Sequence, residues 1–182
     1  MRKLLLALVL IVPAPVLLAE SPSSIAFCTG PDGELDVCPC NNPGDSLTGC
    51  DTPVPAMQGG GTTGGIGLVP VAQQLSPANR GTMVASGFPA GSTPGAVLFR
   101  NTTLAPSPTV FGDGVLCVAA TSSLVRIGGA VAINGQSTHT FGHGTMSGSG
   151  SFFYQVWFRS FPASYCNPSS AFSLSSGATL DW

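Results

Sequence analysis

The chain has 182 residues, a formal net charge of −2 and charged side chains at only 8% of positions, against about 25% in an average soluble domain. That length suits one core and is short for two ordinary domains, and the absence of any basic run excludes the electrostatic footprint of a nucleic-acid binder. With 24 glycines and 16 prolines, the composition also works against helices, whose interiors lose about 1 kcal/mol at each Gly and about 3 kcal/mol at each Pro.

At the N-terminus, Arg2 and Lys3 precede the apolar run Leu4–Val12; Pro13 and Pro15 then interrupt it before Val16–Ala19 and the polar stretch Glu20–Ser24. This is the pattern of a secretory signal peptide. A membrane-spanning helix needs about 20 uninterrupted apolar residues, so the mature chain is not expected to insert in a membrane. Cleavage is expected after Ala26, with Ala19 as the alternative, which makes residues 1–26 the leader and sends the protein outside the cell or to its surface. The exported chain keeps four Arg, no Lys and seven acids.

Export into an oxidising compartment makes Cys28, Cys38, Cys40, Cys50, Cys117 and Cys166 candidates for three disulfides. The equal gaps suggest Cys28–Cys38 with Cys40–Cys50, which leaves Cys117–Cys166. A zinc cage is disfavoured because C-x9-C-x-C-x9-C lacks the close pairs of cysteines that zinc sites use.

Residues 27–65 form a cysteine-rich segment that carries Asp32, Glu34, Asp36, Asp45 and Asp51 and no cation. The alternating carboxylates Asp32, Glu34 and Asp36 are a candidate calcium site, since a hard cation with oxygen ligands would offset the crowded charge. The run departs from an EF-hand loop, with Val37 where glycine is needed and Pro43 where the bidentate Glu would stand. Gly59-x-Gly61-x-x-Gly64 matches the dinucleotide fingerprint by letter, yet it follows a cysteine-rich loop instead of a buried strand and reads as a joint.

From residue 66 to 182 short apolar stretches alternate with Gly, Pro, Ser and Asn, the texture of an antiparallel all-β domain. Strands are expected at Gly67–Ala72, Thr82–Gly87, Ala96–Arg100, Thr109–Phe111, Val115–Ala120, Leu124–Ile127, Ala130–Ile133, Ser151–Ser160, Phe172–Ser175 and Ala178–Trp182, with no helix. Gly112-Asp113-Gly114 and Asn134-Gly135 suit tight hairpins because their residues tolerate positive φ. Between 151 and 160, Phe152, Tyr154, Val156 and Phe158 share one wholly apolar face, and Phe153, Gln155, Trp157 and Arg159 share the other. Burying the first face calls for a second sheet, so the expected fold is a two-sheet antiparallel β-sandwich with an N-terminal disulfide-rich extension.

Several elements together carry a resemblance: Phe27-Cys28, the CPC at 38–40, FGDGVLC at 111–117, YQVWFRS at 154–160, and the later Tyr165-Cys166, Phe172-x-Leu174 and Trp182. The chain from Phe27 onward resembles a family of secreted bacterial modules of uncharacterised activity, frequent at the C-termini of larger exported proteins. The resemblance implies export and a disulfide-bearing β fold, and no activity.

The mixed face Phe153, Gln155, Trp157 and Arg159 is the candidate recognition surface. Aromatic rings stack on the C–H faces of sugars while an amide and a guanidinium bond hydroxyls, so a polysaccharide or other cell-surface material is the expected partner. His139 and His143 lie in HTFGHG without a nearby carboxylate and read as a solvated loop, with a weak surface metal site as the alternative. Catalysis has little to work with: the mature chain has no lysine and no G-x-S-x-G elbow, and Asp113 and Asp181 are the only carboxylates outside the acidic segment. The expected product is a secreted, non-catalytic binding or surface-structural module. The alternatives are an extracellular hydrolase acting on polysaccharide, which needs two carboxylates about 5–10 Å apart, and a calcium-stabilised adhesion module.

Overall fold

The computed structural model describes residues 26–29, 38–39, 44–45, 47–51, 65–74, 80–89, 94–142, 150–159 and 172–181. They form ten strands: β1 (Ala26–Phe27), β2 (Gly67–Gln74), β3 (Arg80–Ser86), β4 (Gly95–Asn101), β5 (Leu104–Phe111), β6 (Gly114–Val118), β7 (Val125–Val131), β8 (Gln136–Gly142), β9 (Ser151–Arg159) and β10 (Phe172–Asp181). All pairings are antiparallel. One sheet runs β1-β10-β9-β4-β7, a second runs β2-β3-β8, and β5 and β6 make a separate hairpin.

The expected apolar row of β9 is the centre of the core. Phe152, Tyr154, Val156 and Phe158 are buried with Ala96, Leu98, Ala178 and Leu180 of their own sheet against Leu68, Met83, Ala85 and Phe141 of the other. Aromatic contacts cross the interior, with Phe88 edge-on to Phe158 at 5.2 Å and Phe141 stacked on Tyr154 at 5.5 Å. The architecture is the two-layer antiparallel packing that the alternation of β9 requires.

Both edges of this sandwich are closed. On one side Asn134-Gly135 turns β7 into β8, with φ of 53° and 81°, and Ile133 and Gln136 exchange backbone hydrogen bonds at 2.7 and 3.1 Å. This is the type I′ geometry that Asn-Gly favours. On the other side a bulge in β10 between Leu174 and Gly177 turns Ser176 toward β2: its N–H donates to the Ile66 carbonyl at 2.9 Å, and its Oγ accepts the Leu68 N–H at 3.0 Å. The serines thereby pair backbone groups that a bulge would otherwise leave orphaned.

The β5–β6 hairpin adds a partial third layer on the outer face of the larger sheet, above β9 and β10. Its turn has Gly112 at φ 68°, and the Asp113 N–H donates to the Phe172 carbonyl at 2.9 Å. The N-terminal segment is fastened to the same face. Cys28 is bridged to Cys117 of β6, Cys38 is bridged to Cys50, and these four cysteines pack together with Val115. The expected pairing by equal gaps is therefore corrected: Cys28 bonds Cys117, 89 positions away, because β1 lies on β10 directly beneath the hairpin. Cys40 and Cys166 lie outside the described residues.

Several boundaries also differ from the sequence reading. The two strands expected at 124–133 are one strand, β7, because the Gly128-Gly129 pair coincides with a register shift opposite Leu98 and Phe99 instead of a break. Phe172–Ser175 and Ala178–Trp182 likewise merge into β10 through the Ser175-Ser176 bulge. Residues 136–142 form β8, where Ser137, His139 and Phe141 face inward; the expected solvated loop at His139 is thus a core strand. Pro106 and Pro108 conceal the full length of β5, which as an edge strand tolerates the missing N–H donors.

Candidate binding cleft

The outer face of the larger sheet can be laid out from its register. Opposite Trp157 stand Leu174 on β10 and Val97 on β4, with Gly129 beyond on β7; one row on stand Gly177, Gln155, Phe99 and Arg126. Rows on one face are about 6.6 Å apart and neighbouring strands about 4.8 Å, so these side chains form one surface. The hairpin and the Cys28–Cys117 bridge cover its β10 side. Toward β4 and β7 none of the described residues covers the surface, and there Val97, Phe99, Phe111, Arg126, Trp157 and Phe172 line a cleft of about 360 Å³.

Each wall has a structural cause. Trp157 is half-buried, 5.8 Å between ring centroids from Phe172, and Phe172 is 5.0 Å from Phe111 at the end of β5. Phe111 remains 43% exposed because the Gly112 turn holds it out beside Phe172 and not beneath it. Glycine keeps the rim low at Gly129, where a Cβ would meet nothing nearer than the Ala96 carbonyl at 3.6 Å, and at Gly95, where it would meet nothing within 4 Å. Arg126 supplies the cation; it is exposed, and among the described residues it has no ion-pair or hydrogen-bond partner.

Of the four residues expected to make the recognition surface, the structure brings only Trp157 into this cleft. Gln155 is fully buried: its Oε1 accepts the Cys117 N–H at 3.1 Å, and its Nε2 donates to the carbonyls of Val115 at 2.7 Å and Ser175 at 2.9 Å. It is a strut between β9, β10 and the hairpin and is corrected from ligand residue to structural residue. Phe153 is half-buried and meets the Phe27 ring edge-on at 5.7 Å, beneath the N-terminal segment. Arg159 is exposed at the end of β9, one row from Trp157, and does not line the cleft.

Val97, Phe99, Phe111, Arg126 and Phe172 were not singled out from the sequence. The alternation in Ala96–Arg100 marks Val97 and Phe99 as sharing a face, but only the register across four strands places them with Trp157.

Elsewhere β5 bows away from β6 between Leu104 and Thr109, opening a second gap of about 430 Å³ lined by Ala105, Pro106, Leu116, Val118 and Phe111 among others. His139 is buried with its Nε2 3.1 Å from Ser137 Oγ, and desolvation lowers its pKa below the ordinary 6.5. Ser137 is itself fully buried, so this pair is closed to a substrate. Among the described residues no three His, Cys, Asp or Glu side chains group as metal ligands; the candidate calcium residues Asp32, Glu34 and Asp36, and His143, lie outside them. Among the described residues no helix is long and apolar enough to cross a membrane.

No protein-family model matches the chain, and neither a curated protein nor a solved structure matches it. The functional reading therefore rests on the cleft itself.

Proposed function

We propose that the protein is an exported, non-catalytic binding module whose ligand seats in the Trp157 cleft. The observation that carries this reading is an aromatic-walled concavity beside an exposed arginine, Arg126, that has no ion-pair or hydrogen-bond partner among the described residues, on a disulfide-braced scaffold. Large rings held by a rigid sheet bury apolar ligand area at little entropic cost. The leader-like N-terminus, the two disulfides and the resemblance to secreted bacterial modules support export. The expected sugar surface loses two of its members, because the Gln155 amide is buried in bonds within the protein and Phe153 lies beneath the N-terminal segment.

The two indole N–H signals of the chain, from Trp157 and Trp182, allow a direct test by NMR. A panel of soluble oligosaccharides and small aromatic and aliphatic compounds is titrated, with and without calcium, and the Trp157 signal is identified by its loss in Trp157→Phe. A saturable shift of that signal supports recognition. A signal unmoved by every compound would leave a purely structural role.

A further inference from the structure

We infer that the cleft is built for a small organic acid, an aromatic or aliphatic body ending in a carboxylate, and not for a neutral sugar. This rests on the proposed binding role of the same site. Five of the six lining side chains, Val97, Phe99, Phe111, Trp157 and Phe172, are apolar, and the sixth is Arg126. Arginine has donors only and binds a carboxylate through two parallel N–H···O bonds. A sugar would bring hydroxyls that need acceptors as well as donors, and the described side-chain amides on this face are already committed, Gln155 to Val115, Ser175 and Cys117 and Asn101 to the Ala119 carbonyl, Thr121 Oγ1 and the Thr102 N–H. Hydroxyls pressed against such walls would lose water without gaining partners.

The charge that lines the cleft has one sign. Arg126 and Arg159 are two of only four cations beyond the leader, and both stand on the outer side of the sheet. None of the described acids, Asp45, Asp51, Asp113 and Asp181, lines the cleft: Asp181 is at the far end of β10, where it accepts the Ser151 Oγ–H at 2.6 Å, and Asp113 is buried in the hairpin turn. A volume of about 360 Å³ falls within the range of small-molecule sites, about 300–1,000 Å³. An apolar body fills the ring-lined part, and its carboxylate reaches Arg126 at the β7 edge.

The test compares 4-phenylbutyrate, its uncharged counterpart 4-phenylbutan-1-ol and cellohexaose on the mature protein and on Arg126→Gln, following the Trp157 indole signal. The inference predicts that the acid binds about tenfold or more tightly than the alcohol, that Arg126→Gln removes this difference, and that cellohexaose has no effect. Arg126 is exposed, so this variant keeps the fold. Equal binding of acid and alcohol would overturn the carboxylate assignment and leave the binding role standing. A response to cellohexaose alone would overturn it in favour of a sugar site. Silence toward all three and toward the wider panel would overturn both the assignment and the binding role.

Discussion

The backbone N–H of Cys117 donates to the side chain of Gln155 at 3.1 Å, so the strand at the centre of the sandwich grips the hairpin at the residue where that hairpin is crosslinked to the N-terminal segment. One amide thus joins β9, β10 and β6. Replacing Gln155 with Leu leaves the Cys117 N–H and the Val115 and Ser175 carbonyls to lose their side-chain partners in a closed interior. Each such group costs about 1–3 kcal/mol, so Q155L is expected to lose about 3 kcal/mol or more in denaturant unfolding. Ligand affinity of the folded fraction should hardly change, because Gln155 does not reach the cleft.

The disulfide pairing is directly checkable. Peptide mapping of the unreduced protein should recover Cys28 with Cys117 and Cys38 with Cys50. On the loop-entropy relation the first closes a loop worth about 4–5 kcal/mol and the second about 3 kcal/mol. Cys28→Ser with Cys117→Ser should therefore lower the unfolding free energy more than Cys38→Ser with Cys50→Ser.

Stability should depend on pH through His139. Burial holds its folded pKa below the ordinary 6.5, so the unfolded chain takes up the proton more readily. The stabilisation from a neutral His139 is full above pH 6.5 and is lost as pH falls through the lower folded value. Unfolding midpoints measured from pH 8 down to pH 5 should decline, and His139→Gln should flatten that decline. An equal slope in the variant would assign the pH dependence to other groups.

Gly177 is a steric requirement and not a flexible joint. A Cβ there would run into the Phe27 ring, which lies over Gly177 through the pairing of β1 with β10 and meets Phe153 edge-on. Gly177→Ala should displace Phe27 and cost about 1–3 kcal/mol, with hydrogen exchange rising first in β1.

Much of the fold was legible because a period of two is visible in one strand: Phe152, Tyr154, Val156 and Phe158 announce the core, and Asn134-Gly135 announces its turn. The same period misplaces Gln155, since alternation tells which face a residue shares and not whether another layer covers that face. β8 escapes notice because two of its inward residues, Ser137 and His139, are polar and bond each other. Cysteine spacing failed for a related reason: Cys28 meets Cys117 through strand order, which no interval along the chain encodes. In the cleft Trp157 stood out by residue type, whereas Arg126 comes from two strands away and becomes its neighbour only through the register of β4 and β7.

The most direct check of the cleft as a recognition surface is Trp157→Ala, with melting temperature and binding of 4-phenylbutyrate measured on the same preparation. The indole is only half-buried at the rim, so a fall of a few degrees together with loss of binding is the predicted result. Binding retained at full strength, or a collapse of the fold showing that the indole is core, would contradict the account.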